Sequence, residues 1–560
     1  MLGHTIARSC DQECNKPVGA RIKGSIPKWL KGTLLRNGPG MKEIGGQRMG
    51  HLFDGLALIH QYEIDNGKVT FRSKFLRSEA YCRAMDAGRI VISELGTRAM
   101  PDPCKSFFKR YMTYFSPTKI NDNAAVNIYP IGDKIYATTE TPRLWEIDPK
   151  SLDSIKRLDM TDYVVMNTYS AHPHIERDGV IYNMGSNFVG KGSYKIIKTI
   201  PKSSSTGMME VSVLSSIPIR HPLHPSYYHS FLTTEDYIIF IDQAFCISME
   251  TFVKNRLLGK PLATALCYKP EYKNHFVVIE KKTGQIIPGK YVSEPFVFFH
   301  TINAYQEDGH IICDICCFDD GQAWQDIFAE KMSDFMDKIQ SGPFADTLFA
   351  RGCRSKAKRF TIPLDIHDVI DESNSSLPGV FPASAFLVGK KIFLVPEVLT
   401  PENSSNCLMQ VSVEDTLLRP YSSLNFHSPS DIAFVDMPQI HYVKCNGRKY
   451  RYFYGITRNK EYNMQLAKID VSEKKAVKWE ETDHYVSEPI FVPHPSATAE
   501  DDGVVLAAAI SDKEENRGFL VILDGKSFKE LARAEFTTPS TLTREFHGIF
   551  LGENNKPFTT

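Results

Sequence analysis

The sequence has 560 residues, with 66 basic and 66 acidic side chains that leave it formally neutral at pH 7. Hydrophobic residues make up 42% of it, as is typical of globular proteins with a core, and the balanced charge speaks against a nucleic-acid partner. No segment has the apolar stretch of a secretory signal or a membrane-spanning helix, and the 12 cysteines are scattered, so we expect residence in the cytoplasm.

The first predicted element is an N-terminal extension, about residues 1–18, which we expect to be less ordered than the rest. One pattern then recurs along the chain: a turn with Gly or Asp precedes an apolar, β-branched or aromatic run of about five residues. In chain order, such segments begin at Gly132, Asp178, Glu235, Asp308, Gly389, Arg451, Asp502 and Gly518. This pattern is typical of β-strands joined by tight turns.

Helical periodicity is confined mainly to two segments, Phe107–Phe115 and Asp326–Gln340. The remainder predicts an all-β chain with more strands than a sandwich needs. A propeller accommodates many short strands by radial repetition, although the repeat length here is irregular. We therefore predict a β-propeller that forms a single domain over residues 1–560.

Four of the 17 histidines share a local setting, because each lies in an apolar segment at the start of a predicted strand. They are His172, His229, His300 and His547. In a propeller the innermost strand of each blade begins near the central axis, so these side chains could converge on a metal. Ordinary hydrogen-bonded core histidines are the alternative interpretation.

A formal Cys-x-x-Cys pair, Cys313 and Cys316, lies next to Cys317. A zinc ribbon would require a second pair at the right distance, and the sequence has none. Residues three apart in a strand also face opposite sides of the sheet. We therefore predict that these cysteines are part of the core.

An ordered series of motifs carries a family resemblance. They are Gly32-Thr-Leu-Leu-Arg-Asn-Gly-Pro-Gly40, His51-Leu-Phe-Asp-Gly55, Pro101-Asp-Pro-Cys-Lys105, Ala171-His-Pro-His174, Tyr228-His-Ser-Phe231, Ser487-Glu-Pro-Ile-Phe491 and Phe546-His-Gly548. In this order they resemble the animal branch of the carotenoid cleavage oxygenase family. That branch includes vertebrate carotenoid oxygenases, the retinoid isomerase of the retinal pigment epithelium and insect carotenoid isomerooxygenases. The resemblance extends from about Gly19 to Phe550.

The resemblance implies a seven-bladed β-propeller with a helical and loop cap over an axial Fe(II) site. The implied iron ligands are the four histidines named above. Three carboxylates are implied to accept hydrogen bonds from ligand histidines: Glu140, Asp436 and Glu488. The family usually has Glu where this chain has Asp436. Since Asp is one methylene shorter, a backbone shift or a bridging water could be needed at that position.

The function implied by the resemblance is Fe(II)-dependent cleavage of a carotenoid C=C bond by O2 into two aldehydes. We expect central 15,15′ cleavage to retinal with cis isomerisation of one half. Eccentric 9′,10′ cleavage, retinoid isomerohydrolase activity and a non-catalytic carotenoid-binding propeller are the alternatives. Leu95 and Thr139 are expected to face the substrate. Leu95 stands where retinoid isomerases have Phe, which weakens the isomerohydrolase alternative.

Carotenoids are dissolved in membranes, so we expect peripheral membrane contact at an apolar entrance. In the first candidate segment Phe108, Met112 and Phe115 share one helical face, and in the second Phe252, Leu257 and Leu258 lie among basic residues. A helix packed on its own propeller is the alternative for each segment. Cys104 is a hypothetical acylation site, and the sequence leaves the oligomeric state open.

Overall fold

β-Strands are the main secondary structure of the computed structural model, which describes residues 5–99, 103–106, 108, 121–202, 209–258, 260–321, 324, 355–364, 385–388, 391–399, 432, 434–459 and 463–553. All eight turn-and-strand segments predicted from the sequence contain strands. Their β-branched and aromatic residues suit the pleated and largely buried sheet surface.

In chain order the strands begin with β1 (Val18–Gly19), β2 (Arg21–Gly24), β3 (Gly32–Met41), β4 (Glu43–Ile44), β5 (Gln47–Arg48), β6 (Leu56–Asp65), β7 (Lys68–Phe75), β8 (Asn127–Ile131), β9 (Lys134–Thr138), β10 (Arg143–Ile147), β11 (Ser154–Asp159), β12 (Thr168–Tyr169) and β13 (His174–Ile175). They continue with β14 (Ile181–Asn187), β15 (Ser193–Pro201), β16 (Met209–Pro218), β17 (Leu232–Thr233), β18 (Tyr237–Asp242), β19 (Phe245–Ile247), β20 (Leu266–Tyr268), β21 (Asn274–Glu280), β22 (Tyr291–Ser293), β23 (Val297–Glu307), β24 (His310–Phe318) and β25 (Lys356–Pro363). The last are β26 (Ala385–Val388), β27 (Lys391–Leu394), β28 (Glu397–Val398), β29 (Asp436–Gln439), β30 (Tyr452–Arg458), β31 (Met464–Asp470), β32 (Lys475–Glu480), β33 (His484–Val486), β34 (Ile490–Pro493), β35 (Gly503–Ser511), β36 (Arg517–Asp524), β37 (Glu530–Thr537) and β38 (Gly548–Leu551). The described helices are α1 (Glu79–Ala87), α2 (Met249–Leu258) and α3 (Tyr442–Cys445), with 3₁₀ turns at Met160–Asp162 and Leu262–Ala265.

Within these ranges the strands form seven sheets of four to six strands, which are the blades of a seven-bladed propeller. The blades are β1-β7-β6-β3-β38, β11-β10-β9-β8, β12-β14-β15-β16 with β13, β17-β18-β21-β22-β27-β26, β23-β24-β25-β28, β29-β30-β31-β32, and β2-β37-β36-β35-β33 with β34. Inner strands of neighbouring blades contact one another, as in β17 with β23, β23 with β29, and β34 with β38. The predicted fold is therefore confirmed.

The ring of blades is closed by an exchange of terminal strands. Near the N-terminus, β2 pairs with β37 of the last blade, with Ile22 opposite Ala534. Near the C-terminus, β38 pairs with β3 of the first blade, with Leu35 opposite Ile549. A strand from the N-terminal part thus completes the last blade, and a strand from the C-terminal part completes the first.

Apolar clusters fill the spaces between blades. Cys313 and Cys317 belong to one cluster and Cys316 to another, and all three are fully buried, which confirms the predicted core role. Fully burying one large aliphatic side chain stabilises a fold by roughly 1.5–3 kcal/mol, so these clusters hold the blades together.

Residues 5–18, expected from the sequence to form a less ordered extension, contact the propeller closely. The Cys10 amide donates to the Gly40 carbonyl at 2.9 Å, and Arg8 Nη1 donates to the Ser511 carbonyl at 2.7 Å. Cys10 and Cys14 are both buried. This segment therefore joins the first blade to the last.

Two long connections carry the helices that lie near the candidate site. The β7–β8 connection contains α1, and the β19–β20 connection contains α2. They meet where the Ala263 amide donates to the Leu95 carbonyl at 2.9 Å. Of the predicted helix Phe107–Phe115 only Phe108 is described, and Asp326–Gln340 lies outside the described residues. Across the described ranges, no helix has the length and apolar character needed to cross a bilayer.

A candidate four-histidine metal centre

The four predicted histidines converge at one point. One nitrogen atom from each of His172, His229, His300 and His547 lies within 4.8 Å of the others. His172 lies between β12 and β13, His229 precedes β17, His300 lies in β23, and His547 precedes β38. Four different blades therefore present one imidazole each to the same point.

Serine hydroxyls connect the backbone segments that carry these histidines. Ser170 Oγ donates to the His229 carbonyl at 2.5 Å and accepts from the His172 amide at 3.0 Å. Ser230 Oγ donates to the Phe299 carbonyl, directly before His300, at 2.6 Å. These bonds fix the spacing between consecutive histidine segments, a role that the sequence analysis did not assign to either serine.

Each of the three predicted carboxylates lies beside one histidine ring. Nδ1 of His229 lies 2.5 Å from Glu140 Oε1, and Nδ1 of His300 lies 2.8 Å from Asp436 Oδ1. Nδ1 of His547 lies 2.8 Å from Glu488 Oε1. When these Nδ1 atoms donate to carboxylates, the neutral rings keep their Nε2 lone pairs free.

The Nε2 atoms show how well the cluster fits a metal. Nε2 of His300 lies 3.3 Å from Nε2 of His547, and two lone pairs at that distance cannot form a hydrogen bond. Nε2 of His172 is buried and has no hydrogen-bond partner. A cation among these nitrogens would satisfy all of them. An all-imidazole set suits the transition metals that imidazole prefers, and the cluster fits iron.

Burial keeps two of the rings neutral and ready to bind a metal. Burial, followed by the neighbouring histidines, holds the pKa of His172 well below its ordinary value. Burial also lowers the pKa of His547 to about 4, although Glu488 acts in the opposite direction. Burial raises the pKa of Glu488, but His547, Arg36 and Gln439 together outweigh burial, so that the carboxylate pKa is below its ordinary value.

His300 differs from His547 in its electrostatic environment. Burial lowers its pKa, but the charge and hydrogen bond of Asp436 outweigh burial and raise it. Glu488 shares its charge with Arg36 Nη1 at 3.0 Å and Gln439 Nε2 at 2.9 Å, so it holds a proton on His547 less strongly. His300 and His547 therefore differ in pKa because their carboxylates have different partners.

Asp436 reaches His300 directly in spite of its shorter side chain. The pairing of β29 with β30 shifts register between Asp436 and Gln439, and Met437 has a φ of 52°. Such a bulge re-aims a side chain. The Asp436 carboxylate therefore contacts His300 directly, from a strand that has a bulge beside it.

Tyr227 is a neighbour of the centre that the sequence analysis missed. Its hydroxyl donates to Glu140 Oε1 at 2.7 Å and lies 3.3 Å from Nδ1 of His229. Tyr227 precedes His229 by two residues, and alternate residues of an extended segment face the same side. That spacing is the feature that could have predicted it.

Aromatic side chains extend from the histidines toward the β19–β20 connection, where Trp324 Nε1 donates to the Ala263 carbonyl. The Phe299 ring lies 6.0 Å from His229 and 6.3 Å from Trp324. Trp324 in turn lies 6.0 Å from Phe53, which lies 5.3 Å from Phe546. These four side chains, Phe53, Phe299, Trp324 and Phe546, are called the aromatic wall below. They form an apolar boundary to the centre.

The two residues predicted to face the substrate lie at different depths. Thr139 is half-buried next to Glu140. Leu95 is 37% exposed, and its carbonyl accepts from Ala263, whose own carbonyl accepts from Trp324 Nε1 at 3.3 Å. The Leu95 loop is thus connected to the aromatic wall.

The predicted membrane-contact residues that are described are largely exposed. Phe108 is 71% exposed, Leu257 and Leu258 on α2 are exposed, and Phe252 is half-buried. Met112 and Phe115 lie outside the described residues. Exposed Leu223, which the sequence analysis missed, accepts a backbone hydrogen bond from the first residue of α2 at 3.0 Å.

Comparisons with known proteins agree with this geometry. The family described as retinal pigment epithelial membrane protein matches residues 7–552. The mitochondrial carotenoid-cleaving dioxygenase of Mustela putorius furo is 36% identical over 96% of this chain and 95% of its own. The carotenoid isomerooxygenase of Galleria mellonella is 34% identical over 97% and 95%. The β,β-carotene 15,15′-dioxygenase of Mus musculus is 36% identical over 96% and 89%.

Solved structures share the fold. A variant of the Synechocystis apocarotenoid oxygenase superposes with a TM-score of 0.72 at 20% identity, covering 98% of both chains. A cobalt-substituted form of the same protein gives a TM-score of 0.70 at 20% identity and the same coverage.

Proposed function

This chain belongs to the carotenoid oxygenase family, and on that premise we propose that it is an Fe(II)-dependent dioxygenase that cleaves a carotenoid into two aldehydes. The observation that carries the proposal is the four-histidine cluster with its three carboxylates. His172, His229, His300 and His547 would hold the iron. Neutral imidazoles leave the formal charge of the ion unreduced, which favours the ferrous state.

The carboxylates would set the chemistry of the ligands without binding the metal. Glu140, Asp436 and Glu488 hold the ring proton of their histidines on Nδ1 and fix the ring planes. Iron bound at the Nε2 atoms would supply the activation of O2 that oxidises a C=C bond. The protein then needs no acid, base or nucleophile of its own for this reaction.

The aromatic wall would orient the polyene. Phe299 lies next to the His229 ring, so a chain packed along Phe299 and Trp324 passes close to the metal ligands. Apolar walls exclude water and favour a conjugated hydrocarbon. Leu95 and Thr139 are proposed to border the same space and to influence which double bond is placed at the centre.

For the cleavage position we propose the central 15,15′ bond, giving retinal, with cis isomerisation of one half. The names of the mouse and Galleria relatives support this choice. Eccentric cleavage is the second candidate, because the Mustela relative, whose name gives no cleavage position, is as similar to this chain as they are. The decisive experiment is product analysis in the dark with β-carotene and a hydroxylated carotenoid. Retinal alone supports central cleavage, whereas paired long and short apocarotenals support eccentric cleavage.

The membrane would supply the substrate. We propose that α2 rests on a lipid surface through exposed Val253, Leu257 and Leu258, with Leu223 beside it and exposed Lys254 facing head groups. We also propose that the protein resides in the cytoplasm as a peripheral membrane protein. Co-sedimentation with anionic vesicles tests it, and a protein that stays in the supernatant at low salt would contradict it.

Metal analysis separates the enzyme from a propeller that only binds carotenoid. The proposed enzyme contains about one iron atom per chain and consumes O2 with the carotenoid. Purified protein that binds carotenoid but neither retains iron nor cleaves the substrate would favour the non-catalytic alternative.

A further inference from the structure

Arg36, on β3, is a fully buried cation next to the candidate metal centre, with 1% of its surface exposed. We propose that Arg36 is a positioning residue that orients His547 as a ligand by acting through Glu488. This inference rests on the metal-binding role proposed above for His547. Arg36 does not itself contact the site where metal or substrate would bind.

The guanidinium contacts both groups that determine the placement of His547. Nη1 donates to Glu488 Oε2 at 3.0 Å, and Glu488 Oε1 accepts from His547 Nδ1 at 2.8 Å. Nη2 donates to the carbonyl of Phe546, directly before His547, at 2.6 Å. One planar side chain therefore fixes the hydrogen-bond partner of the ring and the backbone that carries it.

A glycine makes room for this arrangement. Gly548 lies opposite Arg36 in the pairing of β3 with β38. A Cβ atom on Gly548 would lie 2.0 Å from the Leu35 carbonyl oxygen and 2.9 Å from Arg36 Cδ. Any larger residue would push β38 and His547 away from β3. Gly548, the last residue of the Phe-His-Gly motif, thus leaves the space that the Arg36 side chain occupies.

A second buried carboxylate holds Arg36 in place. Glu545 Oε2 lies 3.4 Å from Arg36 Nε, and Glu545 Oε1 accepts from the Tyr62 hydroxyl at 2.7 Å. Both carboxylates of this network are almost fully buried. Since desolvated charges need close partners, Arg36 stays between Glu488 and Glu545.

The ion pair between Arg36 and Glu488 distinguishes His547 from the other ligands. Glu140 accepts its additional bond from the neutral hydroxyl of Tyr227. Within the described part of the chain, Glu488 is the only one of the three carboxylates that forms an ion pair with Arg or Lys. Arg36 therefore fixes the Glu488 carboxylate, and through it the ring of His547, by a contact that the carboxylates beside His229 and His300 do not have.

The test measures metal binding in the dark without carotenoid, with Co(II) as the probe. R36M and R36Q should bind Co(II) roughly tenfold more weakly than wild type and shift its visible absorption bands. R36K keeps the charge near Glu488 and should restore part of both. R359M is the matched control, because Arg359 forms a similar pair with buried Asp314, through two bonds of 2.8 Å, away from the histidines.

Three outcomes would overturn the inference. The first is R36Q with wild-type affinity and spectrum, a result that can be obtained even where R36M fails to fold. The second is R359M losing as much affinity as R36M, since the effect would then come from stability. The third is R36Q weakening binding as much in an E488Q background as alone, because Arg36 would then not act through Glu488. A wild-type protein that binds no Co(II) or iron would instead refute the proposed function.

Discussion

Substitution of Asp436 tests whether the length of its side chain matches the backbone bulge in placing a carboxylate next to His300. The substitution D436E adds one methylene, about 1.5 Å, to a side chain that already makes a 2.8 Å bond to His300 Nδ1. The bulge at Met437 places the shorter carboxylate, so Glu at this position overruns the ring nitrogen and must adopt a strained rotamer. We therefore expect D436E to weaken metal binding.

The magnitude can be worked out by comparison with D436N. Asn keeps the shape but replaces a charge-assisted hydrogen bond, about 1.5–3 kcal/mol, by a neutral one of about 0.5–1.5 kcal/mol. The loss between the midpoints of these ranges, about 1.25 kcal/mol, is about eightfold in affinity. An off-rotamer Glu costs about 0.5–1.5 kcal/mol, and the midpoint of about 1 kcal/mol is roughly fivefold in affinity. The expected order of affinity is wild type, then D436E, then D436N.

Chelator competition with Co(II) measures this order directly. M437G is the control variant, because Gly adopts a φ of 52° without strain and leaves the Asp436 carboxylate in place. M437G should bind as wild type does. Tighter binding by D436E than by wild type would refute the reasoning, since it would mean that the bulge does not compensate for the missing methylene.

Three further predictions concern the ligands, the membrane surface and a buried lysine. H300A should lose both iron and carotenoid cleavage, measured by metal analysis and product formation; full activity would contradict the site assignment. The double substitution of Leu257 and Leu258 by Ser should reduce sedimentation with vesicles, whereas V477S, at a similarly exposed residue on β32, should not; equal losses would contradict membrane contact by α2. Burial lowers the pKa of Lys42 to about 7. Between that pH and the ordinary lysine value of about 10.4 the unfolded chain binds the additional proton, so stability should rise with pH over this window. Urea unfolding at pH 7 and pH 9 should show a smaller rise in K42M, and an unchanged rise would contradict this account.

The elements that the sequence predicted are those with local patterns. Turn residues before apolar runs located strands such as β9, β14 and β35, because turn chemistry and strand periodicity are properties of neighbouring residues. The four histidines shared a strand-start setting, but that setting alone left ordinary core histidines as an alternative. The ordered motifs along the whole chain were needed to single them out as a set.

What the sequence did not predict depends on contacts between distant segments. Arg36 and Glu488 are 452 residues apart, and no local pattern indicates that they form an ion pair. Whether Asp436 reaches His300 depends on a bulge, which is a property of the pairing between β29 and β30. The packing of residues 5–18 likewise depends on partners such as Gly40 and Ser511.

The exchange of terminal strands has a consequence for biosynthesis. His547 directly precedes β38, which pairs with β3 of the first blade. Likewise, β2 can pair only once β37 of the last blade has been synthesised. A nascent chain emerging from the ribosome can present His172, His229 and His300, but not the fourth imidazole, until the final strand is released. Loading of iron is therefore expected only after the segment with His547 has emerged from the ribosome, and a ribosome-bound chain stalled before His547 should not retain the metal.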